Sequence, residues 1–293
     1  MSEHTDFVAS PYLVPFDGGF RVGKAGTAPP KDADKDLAKA RLAVEVEALD
    51  ELQRRLYADN RHAVLLVFQA MDAAGKDSTI RAVLTGVNPA GCQVSSFKRP
   101  SAEELDHDFL WRCIRQLPER GRIGVFNRSW YEEVLTVRVH PDNLDAQRLP
   151  WRPKDEAKLW RERYESISDF ERHLARNGTV ILKFFLHVSR AEQRKRLLAR
   201  LDEPDKNWKF EADDLANRAR WNDYQAAYED LLNATSKSWA PWYAIPADDK
   251  AYMRATVAAL IVARLRQLDL RYPRLEADAR AQLARLRKQL EGE

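Results

Sequence analysis

The chain has little cysteine and no long apolar run. Only two cysteines, Cys92 and Cys113, occur in 293 residues, and their separation matches no metal-binding spacing. This usage excludes a disulfide scaffold and predicts buried thiols in a reducing, cytoplasmic compartment. No apolar segment approaches the roughly 20 residues that a membrane-spanning helix needs. The N-terminal stretch also lacks the apolar core of a signal peptide, so we expect no membrane contact.

The chain also lacks a large excess of charge of one sign and has no cluster of histidines. The formal net charge is only +3, and the six histidines include no H-E-x-x-H arrangement. Nucleic-acid-binding proteins usually carry a larger positive excess, so nucleic acid is not an expected partner. Hydrophobic residues make up 44% of the chain, which is sufficient for a buried core. Because the net charge is small, any basic site must be confined to one part of the molecule.

Five short strand-like runs, all of them mainly apolar except 92–98, alternate with longer amphipathic or charged segments. The runs lie at 63–70, 92–98, 122–127, 179–188 and 242–247. Apolar runs of this length that alternate with helical patterns predict a parallel, doubly wound sheet. With helices on both faces, the fold class is a three-layer α/β/α architecture.

The remaining segments divide the chain into three parts. Residues 1–35 are rich in Pro, Gly and Asp, which predicts an extended N-terminal arm. Residues 36–272 show no linker and form one predicted domain, and residues 273–293 form a C-terminal helical tail. The charged segment at about 189–220 lies between two strands, which favours a helical lid. The amphipathic pattern of residues 36–60 fits contacts between subunits and docking within one chain equally well.

Residues 68–79, FQAMDAAGKDST, join the first strand to a helix through a glycine-containing turn. In a phosphate-binding loop, backbone N–H groups at such a helix N-terminus and a lysine hold the phosphate. The usual pattern G-x-x-x-x-G-K-[ST] is broken at Ala70 and Asp77. Asp72 can replace the missing hydroxyl, because carboxylate oxygens are good Mg²⁺ ligands. An ordinary turn with a surface lysine is an equally weighted alternative for this segment alone.

Three further segments contain candidate phosphate ligands. The third strand ends at Asn127 and Arg128, where many phosphate-loop enzymes bind metal and phosphate. In the lid segment, Arg196 and Arg200 are four residues apart and share one helix face. Arg112 lies on the helix that follows the second strand. Each of these residues also has an ordinary alternative role, at a strand end or on a solvated helix face.

Together these segments resemble the second family of polyphosphate kinases, which are phosphate-loop phosphotransferases. The resemblance runs from about Leu37 to Tyr272 and includes MDAAGKDSTIR, GVFNRSWYEEV and PDKNWKF. The family loop looks like G-x-D-x-x-G-K, so Asp72, Gly75 and Lys76 fall on its key positions. These stretches together are far more specific than the loop alone.

The resemblance implies a P-loop fold similar to that of thymidylate kinase, with a five-stranded parallel sheet and a helical lid. It implies Mg²⁺-dependent transfer of the terminal phosphoryl group of inorganic polyphosphate to AMP and then to ADP, which gives ATP. Asn127 stands where many members have Asp. With Asn127 and Val137 at these two positions, the sequence is similar to the class III subgroup, whose members phosphorylate both AMP and ADP. A homo-oligomer, either a dimer or a tetramer, is also expected.

The resemblance also implies roles for individual residues. The implied catalytic residues are Asp72, Lys76, Asn127 and Arg128, of which Asp72 and Asn127 would hold the metal. The implied phosphate-binding residues are Ala73, Ala74, Gly75, Lys76, Asp77, Ser78, Arg112, Arg196 and Arg200.

Several other functions remain open on the sequence. An ADP-only or GDP-preferring polyphosphate kinase would share these motifs. An ATP-dependent nucleoside or nucleoside-monophosphate kinase would be expected to keep the intact loop pattern, which is absent. A non-catalytic protein that binds polyphosphate or nucleotide is supported by Ala70, Asp77 and Asn127.

Overall fold

The computed structural model describes residues 7–293, in which five parallel strands form one sheet. The strands are β1 Ala63–Gln69, β2 Cys92–Ser96, β3 Ile123–Asn127, β4 Thr179–His187 and β5 Trp242–Pro246. Their order across the sheet is β2-β3-β1-β4-β5, and every neighbouring pair is parallel. The predicted five-stranded parallel sheet is confirmed.

Helices follow or precede each strand. The helices are α1 Lys35–Asp59, α2 Lys76–Leu84, α3 Ala102–Leu105, α4 Trp111–Ile114, α5 Thr136–Val139, α6 Asp142–Asp145, α7 Glu156–Arg176, α8 Arg190–Asp202, α9 Ala212–Ala219, α10 Trp221–Thr235, α11 Lys250–Arg266 and α12 Ala277–Leu290. Short 3-10 turns lie at Val22–Lys24, Pro89–Gly91, Trp130–Val134 and Pro204–Lys209.

Two groups of helices cover the sheet. Helices α1, α2 and α11 pack on one another, and α11 also contacts β4 and β5. Helix α7 packs on β4, and α10 packs on α7. Strands β1, β3 and β5 are buried along their whole length. A parallel strand covered on both faces reads as a continuous apolar run, which is why these strands are visible in the sequence. The three-layer α/β/α fold class is confirmed.

The N-terminal arm docks on the open edge of β5. Leu13 forms an antiparallel bridge with Tyr243, and the Val14 N–H donates to the Trp242 carbonyl at 2.9 Å. The Ala244 N–H in turn donates to the Tyr12 carbonyl at 2.8 Å. These bonds satisfy backbone groups that an edge strand would otherwise expose.

The charged segment between β4 and β5 contains α8, a 3-10 turn and α9. Helix α8 begins after Ser189, whose side chain accepts the Glu192 N–H, and it ends at Asp202. Pro204 follows directly, because proline cannot continue a helix. Helix α8 therefore stops two residues before this proline.

The segment after β2, where the sequence places the helix that carries Arg112, forms two short helices. The capping box of Ser101 and Glu104 is present, yet α3 ends at Leu105 and helix resumes only at Trp111. The Asp108 carboxylate accepts the Leu110 N–H at 2.9 Å. Such local side-chain bonds compete with the helical pattern and explain the interruption.

The tail helix α12 has no buried residue. In residues 7–293, none of the helices is long and apolar enough to cross a membrane.

Candidate active site

The loop between β1 and α2 lies at the carboxyl edge of the sheet. Strand β1 pairs with β3 on one side and with β4 on the other. The strand order reverses at this point, and open α/β sheets bind their ligands in the crevice that forms there. The sequence motif at residues 70–76 thus occupies the position where the fold predicts a ligand.

Two loop residues adopt left-handed backbone conformations. Ala73 has a φ of 60° and Gly75 has a φ of 110°. Ala70 is not among the described residues with positive φ, so its Cβ causes no backbone strain. This observation accounts for alanine at a position where related loops have glycine. After Gly75, the N–H groups of the first turn of α2 have no partner within the helix and are available to an anion.

Lys76 is buried inside the loop that it follows. The residue is only 9% exposed, and its ammonium donates to the Ala70 carbonyl at 2.8 Å. Burial, and then the charge of Arg128, lowers the pKa of Lys76. An ammonium has three donors, and the structure describes one partner for this one. The group therefore retains capacity for an anion in the loop.

Asp72 lies between the end of β3 and helices α8 and α9. One carboxylate oxygen accepts from Arg128 Nη2 at 3.1 Å, and the other accepts from Asn217 Nδ2 at 2.8 Å. The Gln193 side chain donates to the Asp72 backbone carbonyl at 3.1 Å. Gln193 and Asn217 are contacts that the sequence did not indicate, since they come from α8 and α9. Asp72 is thus one of the loop residues that α8 and α9 contact.

Arg128 is held in an unusual conformation directly after β3. Its φ is 65°, and its N–H donates to the Phe68 carbonyl at 3.0 Å. The guanidinium lies 3.6 Å from the Glu132 carboxylate and 3.1 Å from Asp72. Glu132, and then Asp72, raise the pKa of Arg128. Left-handed backbone at a residue with a long side chain is concentrated at functional sites.

Asn127 connects the end of β3 to the first turn of α2. Its side-chain amide donates to the Asp77 carboxylate, and the residue is 9% exposed. The two departures from common loop and strand motifs, Asn127 and Asp77, are therefore partners in one hydrogen bond.

Arg196 reaches the loop from α8 but binds backbone. Its Nε donates to Glu192 Oε1 at 2.9 Å. Its remaining donors reach the carbonyls of Ala73 at 3.3 Å, Ala74 at 2.7 Å, Ala247 at 2.7 Å and Asp248 at 3.0 Å. The guanidinium thereby fixes the loop to the segment after β5, and a phosphate contact for it stays a prediction.

Two other candidate cations have their described contacts outside the loop. Arg112 donates to the Lys98 carbonyl at 2.8 Å and lies 3.6 Å from Glu104. Arg200 pairs with Asp214 at 2.8 Å. Within residues 7–293 no hydrogen bond or ion pair joins either arginine to the loop, so their phosphate-binding roles also stay predictions.

A small cleft opens on the β3 side of the loop. Among its lining residues are Asp72, Arg128, Glu132, Asn217, Tyr224 and Tyr228. Burial raises the pKa of both tyrosines, which keeps their hydroxyls neutral donors and acceptors.

Comparison with known proteins identifies the family. The family model described as Polyphosphate kinase 2 matches residues 32–273. This chain belongs to the polyphosphate kinase 2 family. The resemblance stated from the motifs is thereby confirmed, and so is the expectation that the chain is an enzyme.

Similar proteins cover most of the chain. An ADP-polyphosphate phosphotransferase from Rhodopseudomonas palustris is 58% identical over 249 residues, covering 85% of this chain and 86% of the relative. An AMP/ADP-polyphosphate phosphotransferase from Meiothermus ruber is 48% identical over 270 residues, which cover 90% of this chain and 96% of the relative.

The solved structures include one that matches almost the whole chain. The crystal structure of Polyphosphate Kinase 2 from Arthrobacter aurescens TC1 has a TM-score of 0.85 at 39% identity. The match covers 96% of this chain and 98% of the crystallised one. It confirms the P-loop kinase fold expected for this member of the polyphosphate kinase 2 family.

Proposed function

We propose that this protein transfers the terminal phosphoryl group of inorganic polyphosphate to AMP and to ADP, which gives ADP and ATP. Membership of the polyphosphate kinase 2 family supports the donor. The relatives named for ADP and for both AMP and ADP support the acceptors. The observation that carries the proposal is the buried Lys76, which has one described partner and lies beside Asp72 and Arg128.

The arrangement suits phosphoryl transfer, which needs positioning and charge stabilisation more than covalent chemistry. Lys76 and the first N–H groups of α2 would hold the donor phosphate. Arg128, whose side chain is 37% exposed, would neutralise charge on the transferring group. A nucleotide phosphate is already an oxyanion and needs no general base, so no catalytic histidine is required.

The residues present fit a magnesium ion. Mg²⁺ prefers one or two carboxylates and takes its other ligands from phosphate and water. Asp72 offers such a carboxylate at the loop, and its side chain is 14% exposed. We propose that Asp72 holds the ion with Asn127 as a neutral ligand, and that the ion supplies charge neutralisation to phosphate oxygens.

A second candidate is a polyphosphate kinase that accepts ADP alone. It is favoured by the 58% identical relative, which is named for ADP only. The neutral Asn127 in place of a carboxylate favours the broader acceptor range instead. The two candidates differ in one substrate and are separated by direct assay.

The test is to incubate the purified protein with long-chain polyphosphate, Mg²⁺ and either AMP or ADP, and to separate the nucleotides by chromatography. We expect ADP and then ATP from AMP, and ATP from ADP. A reaction with ADP but without polyphosphate controls for contaminating adenylate kinase. Polyphosphate-dependent product from ADP but not from AMP would restrict the function to the second candidate. Absence of product from both acceptors would contradict the proposal.

We further propose a cytoplasmic homo-oligomer, either a dimer or a tetramer. Both cysteines are free thiols, which supports a reducing compartment. Leu37 and Val44 on α1 are 72% and 65% exposed and support a contact between subunits. Light scattering of the purified protein tests this directly, since a monomer of 33.8 kDa would contradict it.

A further inference from the structure

Asn217 on α9 is held by side chains from three other segments. Its Nδ2 atom donates to Asp72 Oδ2 at 2.8 Å. Its Oδ1 atom lies 3.0 Å from His140 Nε2 and accepts from the Tyr224 hydroxyl at 3.0 Å. These partners lie in the loop after β1, directly after α5 and on α10. Asn217 therefore joins the proposed metal ligand to two segments that are distant from it in the sequence.

Hydrogen-bond chemistry fixes the direction of these contacts. An ionised carboxylate only accepts hydrogen bonds, so Asp72 must face the Nδ2 atom of Asn217. The Oδ1 atom then faces His140, and an amide oxygen only accepts, so His140 Nε2 must carry a proton. The Tyr224 hydroxyl donates to the same oxygen, and burial raises the pKa of Tyr224, which keeps that proton in place. Asn217 thus has both ends of its amide occupied.

Asp72 is held on both of its carboxylate oxygens. Arg128 Nη2 donates to Oδ1 at 3.1 Å, and Asn217 Nδ2 donates to Oδ2 at 2.8 Å. The last torsion of an aspartate side chain is soft, so one donor leaves the plane of the carboxylate poorly defined, whereas two donors on different oxygens define it. Each oxygen has two lone pairs and keeps capacity for a further ligand. The two donors therefore orient the carboxylate without filling it.

The two donors to Asp72 differ in charge. Arg128 is a cation, and a cation beside a carboxylate repels a metal ion that approaches the same group. Asn217 is neutral and orients the carboxylate without this repulsion. Hydrogen bonds from outer residues commonly orient the side chains that bind a metal, and their loss typically weakens metal binding roughly 10- to 100-fold. Asn217 has the chemistry that this task requires.

We propose that Asn217 is a positioning residue for the Asp72 carboxylate, and that His140 acts on Asp72 through Asn217. This inference rests on the proposed function, because it concerns the carboxylate that is proposed to hold Mg²⁺. Within residues 7–293 no hydrogen bond or ion pair joins His140 to Asp72. An effect of His140 on metal binding must therefore pass through Asn217.

The experiment uses the full chain and measures binding of Mn²⁺ alone by electron paramagnetic resonance, which requires no turnover. We expect the Kd to rise about tenfold in Asn217→Leu and about fivefold in His140→Leu. His140→Gln places an amide donor near the position of Nε2 and should restore most of the affinity. Asp72→Asn measures the Mn²⁺ that binds elsewhere. His173→Leu, the same change at an exposed histidine on α7, is the matched control and should bind as wild type does.

A double variant tests the path of the effect. If His140 acts through Asn217, adding His140→Leu to Asn217→Leu should change the Kd by less than about twofold. A further fivefold rise would show that the two residues act independently and would contradict the inference.

Steady-state kinetics give a readout that a loss of stability does not imitate. The Mg²⁺ concentration for half-maximal ATP formation should rise about tenfold in Asn217→Leu, with kcat at saturating Mg²⁺ within about threefold of wild type. A lower kcat with unchanged Mg²⁺ dependence would mean a structural role only and would refute the proposal. Tyr224→Phe, which removes one hydroxyl, should give a smaller change of the same kind. With the His140 variants it keeps the test valid if Asn217→Leu does not fold.

The failure of the proposed function has a different signature, since wild-type protein would form no ATP from polyphosphate and ADP. The Mn²⁺ measurement tests the inference in that case as well. Equal affinities of wild type and Asn217→Leu, or no binding by wild type beyond that of Asp72→Asn, would overturn it. Tighter binding by Asn217→Leu would also overturn it, because Asn217 would then compete with the ion.

Discussion

Two buried lysines in this molecule have opposite surroundings. Lys183, in the middle of β4, is fully buried, and its ammonium donates to Glu171 at 2.5 Å, Tyr131 at 2.8 Å and the Thr235 carbonyl at 2.9 Å. Lys76 is almost as buried but has one described partner, the loop carbonyl of Ala70. The core lysine has all three donors occupied by protein. Burial alone therefore does not distinguish the two lysines, whereas the number of protein partners does.

The largest expected effect concerns Lys76→Met. Removing the ammonium should lower kcat for ATP formation from polyphosphate and ADP by about 10³-fold, because a preorganised cation at the transferring phosphate is lost. The free energy of unfolding should change by less than about 1 kcal/mol, since one carbonyl hydrogen bond is lost. Initial rates and urea unfolding on the same preparation check both values. Retention of most activity would contradict the phosphate-loop assignment.

The same substitution at the other lysine should do the reverse. Lys183→Met leaves the Glu171 carboxylate buried without its cation, which should cost about 3–5 kcal/mol of stability. The folded fraction should keep kcat within a few-fold of wild type. The double variant with Glu171→Gln should cost less than the sum of the single changes, because it removes the uncompensated charge. Additive costs would show that the two side chains do not act as a pair.

A smaller effect is expected at Asn127, which joins the end of β3 to the first turn of α2. Asn127→Asp places a second carboxylate against Asp77 and replaces an attractive hydrogen bond with repulsion. The ratio of AMP to ADP activity or the Mg²⁺ dependence should shift by up to about tenfold, with a stability loss of about 1–3 kcal/mol.

The exchanged pair, Asn127→Asp with Asp77→Asn, is the matched control for that substitution. It restores one donor and one acceptor and should recover the lost stability. A wild-type substrate profile and metal dependence in Asn127→Asp would place the side chain outside the metal site.

The smallest effect is expected for Ala70→Gly, which restores the glycine of related loops. Ala70 contributes its carbonyl to Lys76, and that group is present in either residue. Activity should therefore stay within about twofold, and stability should fall by no more than about 1 kcal/mol from added flexibility of the unfolded chain. Steady-state kinetics check this expectation. An activity more than about twofold above wild type would show that the alanine methyl group obstructs binding of the phosphate donor.

The parts of the structure that depend on neighbouring residues could be predicted from the sequence. The buried strands and the loop with Gly75 and Lys76 follow from local patterns. The break in the helix after Leu105 was not predicted, because local bonds of Asp108 compete with the helical pattern. The pattern also drew attention to Ala70, although the left-handed alanine of the loop is Ala73.

Contacts between distant segments could not be predicted. Asn217 and Gln193 reach Asp72 across 145 and 121 residues of chain, and polar residues on charged helices give no local signal of such a partner. The position of Arg196 in the sequence predicts a phosphate ligand. Its hydrogen bonds to four backbone carbonyls instead depend on how α8 packs against the loop and the segment after β5.

The most direct test of the account measures the rate of phosphoryl transfer from polyphosphate to ADP and the free energy of unfolding for both lysine variants, side by side. The account predicts that Lys76→Met loses about 10³-fold in kcat with near-wild-type stability, while Lys183→Met loses about 3–5 kcal/mol of stability with kcat nearly intact. An active Lys76→Met protein, or two variants that lose activity only in proportion to their stability, would contradict it.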